Sequence, residues 1–212
     1  MSGDWKFDTT VAQRFDQEAR THIPNYETVV QKCIDIANRA YPDKTKPRII
    51  DIGSATGYTL EKLRDAGFSD VWGVDNSEAM LEHSRIQEQL ILSSEFPKEQ
   101  GPYHMVLANW TMHFILERRV YLEQIRNSLA QGGVLILTDK MTSTPFVHER
   151  YHDFKRSMGV SEMEIVRKQA SLIGVLETLP LKWYLETLKD LGFRDASIID
   201  AAYCFNTILA FA

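Results

Sequence analysis

The residues best suited to chemistry lie in Asp51-Ile52-Gly53-Ser54-Ala55-Thr56-Gly57, directly after an apolar run that begins at Arg48. Glycines there permit a sharp turn and close approach of the backbone to a ligand, and a helix starting just beyond offers free N–H groups. An ordinary strand-to-helix turn would read similarly, because Ala55 occupies the middle position of the G-x-G-x-G pattern. Twenty-four residues after Asp51, a second apolar run ends in Asp75. A carboxylate at the tip of that strand is suited to grip both hydroxyls of an adenosine ribose. Together, the loop and the acid on consecutive strands point to a nucleoside cofactor. A separate pattern, His148-Glu149-Arg150-Tyr151-His152, has the H-E-x-x-H spacing that places two histidines one helical turn apart. It stands in a charged stretch with no further histidine at metzincin spacing, so a coincidental match is expected and no metal is assigned.

The elements that must hold these residues alternate along the chain. Arg48 to Gly53 reads as a buried strand, and Leu60, Leu63 and Ala66 mark a helix with Gly67 at its C′ position. Val71 to Asp75 is a second strand, followed by a helix with Ser77 as N-cap and Met80, Leu81 and Ser84 on one face. Ile91 to Ser94 is a weak third strand and His104 to Trp110 a fourth. A helix carrying Leu122, Ile125 and Leu129 follows, which the pair Gly132-Gly133 is expected to break, and Val134 to Asp139 is the fifth strand. Five strands with intervening helices predict a doubly wound, mostly parallel α/β sheet. After a last helix over Leu181 to Leu191, the runs Ala196 to Ala201 and Phe205 to Phe211 are too close for a crossover and must pair antiparallel. The sheet is therefore expected to have seven strands and to end in a hairpin, an arrangement associated with S-adenosylmethionine binding rather than with nicotinamide dinucleotides.

One domain over residues 1–212 is expected, with a core of residues 41–142 and 183–212. Residues 1–40, with one amphipathic helix (Tyr26, Val29, Val30, Cys33, Ile34, Ala37), and residues 143–182 are read as helical lid segments. The second leaves from the carboxyl edge of the sheet, where ligands of such folds lie. A chain of 212 residues with 44% hydrophobic residues can build its own core, and a net charge of −5 lacks the footprint of a dedicated nucleic-acid binder. With two distant cysteines, a charged N-terminus and no apolar run of spanning length, a cytoplasmic protein with no membrane partner is expected.

Six stretches, FDQEARTHIPNYETVV, DIGSATG, GVDNSEAM, LANWTMHF, QGGVLILTDK and HDFKRSMGVSEMEI, carry a resemblance to class I S-adenosylmethionine-dependent methyltransferases. Within that superfamily the chain is most similar to the carboxy-S-adenosylmethionine synthases of tRNA wobble-uridine modification, from about Phe15 to its end. The resemblance implies S-adenosylmethionine or carboxy-S-adenosylmethionine as cofactor, a small-molecule substrate, no direct nucleic-acid contact and a homodimer. It implies that Tyr26 contacts the methionine end from the lid and that Gly53, Ser54 and Ala55 pass beneath that end. It further implies that Asp75 and Asn76 contact ribose and adenine, and that Asn109 lies near the sulfonium.

Two positions depart from the family. Ser94 stands where an aspartate meets the adenine amino group, and Gln169 stands where an arginine holds the carboxylate of the carboxylated cofactor. A neutral amide does not reproduce a bidentate guanidinium–carboxylate pair. Arg167 and Lys168 are candidates to replace that charge, although on a helix they lie about 200° and about 100° around from Gln169. Arg156 is a further candidate cation, and Tyr151 a candidate stacking surface for substrate. Three functions follow: a methyltransferase acting on a small molecule, a carboxy-S-adenosylmethionine synthase with prephenate as carboxyl donor, and a non-catalytic cofactor-binding module.

Overall fold

The computed structural model describes residues 6–212; the first five residues of the expected N-terminal lid lie outside it. Seven strands form one sheet in the order β3-β2-β1-β4-β5-β7-β6. The five parallel strands are β1 (Arg48–Ile52), β2 (Asp70–Asp75), β3 (Leu90–Leu92), β4 (Tyr103–Asn109) and β5 (Leu129–Lys140). The terminal hairpin is β6 (Arg194–Ala202) and β7 (Phe205–Phe211), and β7 inserts antiparallel between β5 and β6.

Side chains alternate across the sheet with period two, so adjacent residues enter opposite cores. Ile49, Met105, Leu107, Val134 and Ile136 pack under α3 (Tyr26–Ala40) and α4 (Tyr58–Asp65). Ile50, Val106, Ala108, Leu135 and Leu137 pack on the other face, against α6 (Arg118–Ser128) and α9 (Leu181–Asp190). Helices on both faces make the sheet doubly wound, as expected. The predicted apolar stripe of α3 is buried at all six positions, so α3 belongs to the layer covering the sheet. The Ser77 hydroxyl caps α5 (Glu78–Glu82) by accepting from the Met80 N–H at 3.1 Å.

Two local expectations are corrected. Among the described residues the N-terminal segment holds three helices, because α1 (Thr9–Ala12) and α2 (Phe15–His22) precede α3. α1 is short and capped by Asp8, a local signal that carries no apolar periodicity. Gly132-Gly133 does not break α6, which has already ended at Ser128; the pair lies inside β5. Gly132 takes φ +71°, and a Cβ at Gly133 would lie 2.8 Å from the Ala130 carbonyl, so the glycines serve an irregularity in the β4–β5 ladder. The lid insertion forms α7 (Pro145–Ser157) and α8 (Glu162–Ser171). Among the described residues no helix is long and apolar enough to cross a membrane.

Candidate functional site

A cavity of about 1270 Å³ runs along the carboxyl edge of the sheet. It extends from Asp75, Asn76 and Ser94, past Gly53 to Thr56 and Asn109 to Thr111, to Lys140, Tyr151 and Phe205. Helices α1, α2, α7 and α8 roof it. Single ligand sites occupy roughly 300–1,000 Å³, so this space suits a nucleoside cofactor together with a second small molecule.

At the β1 end the loop geometry requires its glycine. Gly53 has φ +67°, and a Cβ there would lie 2.2 Å from the Thr111 hydroxyl oxygen, which itself donates to the Ile52 carbonyl at 2.8 Å. The Ala55 N–H donates to Asp75 Oδ2 and the Ser77 N–H to Asp75 Oδ1, each at 2.9 Å. Asp75 therefore ties the loop to the end of β2, and each carboxylate oxygen keeps a lone pair for a ligand hydroxyl. Burial raises its pKa despite these bonds. Asp51, only 4% exposed, has no hydrogen-bond partner among the described residues. Burial, and then the charge of Asp75, push its carboxyl up to about 8. A desolvated carboxyl without a partner on a cavity wall is matched to a cationic group. The Ser54 hydroxyl and the Trp110 indole N–H are likewise buried without partners on this wall. These groups fit the glycine cradle, ribose and cationic amino-acid end of S-adenosylmethionine.

Tyr26 is buried between two aromatic rings, Trp110 at 4.7 Å and Tyr58 at 5.7 Å between centroids, and burial raises the pKa of its phenol. Asn109 lines the cavity, but the protein uses its amide: Oδ1 accepts from the Thr138 hydroxyl at 2.7 Å and Nδ2 donates to Cys33 Sγ at 3.5 Å. Asn76 and Ser94 are exposed at the β2–β3 end. Ser94 lies two residues past the end of β3, so the strand is shorter than expected.

The lid cations separate. Gln169 is exposed and faces the cavity. Lys168 also reaches the lining, contrary to its expected position around the helix, and donates to Glu18 at 2.6 Å. Arg167 lies outside the lining, with its guanidinium on Met163 Sδ at 3.7 Å. Arg156 is also outside, bound to Glu149, Asp153 and Glu162 at 2.7–2.8 Å, where it fastens α7 to α8. Neither arginine replaces the missing charge, because local acids and the helix rotation claim them. Tyr151 is buried and donates to the His22 carbonyl at 2.8 Å. Its ring packs against Phe205, so it is built into the cavity wall. His148 and His152 have ring centroids 4.6 Å apart, and no group of three His, Cys, Asp or Glu side chains among the described residues is placed to hold a metal ion.

Two groups escape sequence reasoning. His113, on the turn after β4, is hydrogen-bonded through Nδ1 to Asp139 of β5, which also accepts from the Tyr184 hydroxyl. Asp139 is wholly buried; His113 is 4% exposed, lines the cavity, and has no partner for Nε2 among the described residues. An acid that orients a histidine in this way leaves the second nitrogen as a proton acceptor. Arg118 holds the turn from below, donating to the carbonyls of Met112, Ile115 and Glu177. The second group, Lys140 and Lys155, flanks Tyr151. The stretches LANWTMHF, TDK and HDFKR contain both groups, but no local spacing joins residues 26 or 15 positions apart.

Residues 25–186 match the family described as a methyltransferase domain. The carboxy-S-adenosyl-L-methionine synthase of Nautilia profundicola is 29% identical, over 98% of this chain and 94% of its own length. That of Helicobacter hepaticus is 30% identical, over 97% and 94%. The magnesium protoporphyrin IX methyltransferase of Synechocystis, solved with bound SAH, superposes with a TM-score of 0.67 over 97% of this chain and 95% of its own, at 14% identity. That last likeness is one of fold.

Proposed function

The chain belongs to the methyltransferase domain family of class I S-adenosylmethionine-dependent enzymes, and on that premise we propose that it transfers a methyl group to an oxygen or nitrogen of a small molecule. The observation that carries this reading is His113 on Asp139. A hydroxyl or amine acceptor must shed a proton as it is methylated, and His113 Nε2 opens into the cavity as the base that takes it. S-adenosylmethionine supplies the electrophilic methyl on its sulfonium. Asp75 holds the ribose hydroxyls, Asn76 and Ser94 border the adenine, and Gly53 to Ala55 cradle the methionine end. Asp51 faces that end's positive charge. Tyr26, clamped between Trp110 and Tyr58 at the start of α3, borders the methionine end, and Asn109 shapes the wall. Positioning in a closed cavity then supplies most of the acceleration. Gln169 favours the ordinary cofactor over the carboxylated one, because a carboxylate entering there meets no guanidinium.

Synthesis of carboxy-S-adenosylmethionine from prephenate is the second reading, favoured by the full-length similarity to relatives of that name. Both readings take a small molecule, with no nucleic acid or membrane as partner. Two buried free thiols, Cys33 and Cys204, support placement in the cytoplasm. Mass spectrometry after incubation with S-adenosylmethionine, with or without prephenate or a small-molecule extract, decides between the two. Acceptor-dependent S-adenosylhomocysteine is expected; prephenate-dependent carboxy-S-adenosylmethionine would overturn the methyl-transfer reading.

A further inference from the structure

The far end of the cavity, under β5 and α7, is built from two lysines and a tyrosine. Lys140 is the last residue of β5, and Lys155, on α7, is 6% exposed. Their ammonium groups lie 5.0 and 4.3 Å from the centroid of the Tyr151 ring, and all three side chains line the cavity. Among the described residues neither ammonium has a carboxylate within ion-pair distance or a hydrogen-bond acceptor. The acids of the nearby lid are committed elsewhere: Glu149 to Arg156 at 2.8 Å and Glu18 to Lys168 at 2.6 Å. Burial, and then the like charge of its neighbours Lys140 and Lys168, lower the pKa of Lys155 to about 8; burial lowers that of Lys140.

Two like charges sharing a desolvated corner are unfavourable unless an anion joins them. The aromatic face offsets only part of that cost. We propose that Lys140, Lys155 and Tyr151 form an anion subsite that takes the carboxylate of the small-molecule substrate. The location supports this assignment. From β2, which carries Asp75, to β5 is three strand steps through β1 and β4, about 14 Å at about 4.8 Å per step. The subsite therefore lies beyond the nucleoside end, in the same cavity that His113 lines. A carboxylate anchored here would leave the rest of the substrate in the space that His113 Nε2 shares. The inference rests on the reading that the cavity holds cofactor and substrate together.

The test is calorimetric titration of the whole protein, saturated with S-adenosylhomocysteine, using phenylpyruvate, phenylacetate, inorganic phosphate and neutral phenylacetamide as probes. Wild type is expected to bind at least one carboxylate probe and not the amide. Lys155→Met and Lys140→Met should each weaken that binding about tenfold or more, as loss of a charge-assisted contact does. Lys155→Arg should retain most of it. S-adenosylhomocysteine affinity should be unchanged in all three variants, and without probe Lys155→Met should melt at the same or a higher temperature, which shows that it folds. Tighter binding of phosphate than of either carboxylate would overturn the carboxylate assignment. No carboxylate binding by wild type, or binding that both methionine variants retain, would overturn the subsite. An equal loss of S-adenosylhomocysteine affinity in the lysine variants would assign them instead to the cofactor's own carboxylate, and so overturn it. Failure of wild type to bind S-adenosylhomocysteine at all would instead sink the proposed function.

Discussion

His113 and Asp139 meet as a buried pair, Nδ1 against Oδ1, at the junction of the β4 turn and the end of β5. Asp139 accepts a second bond from the Tyr184 hydroxyl of α9, so one carboxylate fixes the imidazole and joins it to the opposite layer. If His113 is the base, Asp139→Asn should cost as much turnover as loss of the imidazole, because an amide can stabilise the wrong tautomer. Both His113→Ala and Asp139→Asn are expected to lower the rate of S-adenosylhomocysteine formation by about 10²–10⁴. Calorimetry should find cofactor affinity nearly unchanged; a parallel loss of binding would make the pair structural.

Asp75 holds the loop, since it accepts the N–H groups of Ala55 and Ser77. Asp75→Ala is expected to weaken S-adenosylhomocysteine binding by about 2 kcal/mol or more, through lost charge-assisted bonds and a loosened loop. Asp75→Asn, which keeps an acceptor, should lose less. Titration calorimetry checks the order, and a loss in Asp75→Asn as large as that in Asp75→Ala would show that the carboxylate's charge, and not its acceptor capacity alone, carries the binding.

Asp51 is expected to make cofactor binding pH-dependent. Its carboxyl, pushed up to about 8, is mostly protonated at pH 7 in the free protein. A cation bound beside it favours the ionised form, so binding S-adenosylmethionine should release protons below about pH 8 and none well above it. The same raised pKa means that the fold loses stability as pH rises from the ordinary carboxyl value, 3.8, towards 8. Calorimetry in buffers of different ionisation enthalpy measures the released protons, and Asp51→Asn should abolish the release. Proton uptake would contradict this assignment.

Gln169 presents a neutral amide to the cavity while Lys168 is held by Glu18 and Arg156 by three acids. Gln169→Arg should raise affinity for carboxy-S-adenosylmethionine roughly tenfold to a hundredfold and leave that for S-adenosylmethionine nearly unchanged. Competition binding of the two cofactors reads this directly. Equal gains for both would mean that the position senses the cofactor's common part.

The part of this fold legible in the amino-acid order is the part that local patterns encode. Apolar runs ending at Ile52 and Asp75, glycines at a strand-to-helix turn, and a helical stripe from Tyr26 to Ala37 each follow from near-neighbour physics. They are enough to establish a doubly wound sheet, the glycine loop and Asp75 at its carboxyl edge, and the closing hairpin. The local patterns do not reveal α1, a single turn, or α2, whose buried face is Ala19 and His22 and holds no large apolar residue, or the placement of Gly132-Gly133 within β5. The proposed substrate end needs the folded chain. Lys140 and Lys155 meet on Tyr151 because α7 folds back over β5, and Asp139 reaches both His113 and Tyr184 because β5 lies between β4 and the packing face of α9. Likewise Arg156 and Arg167 leave the cavity to Gln169 through the rotation of their helices and the acids around them. Such contacts depend on strand register and lid packing, and residues far apart in the chain leave no periodic trace of a meeting that folding alone arranges.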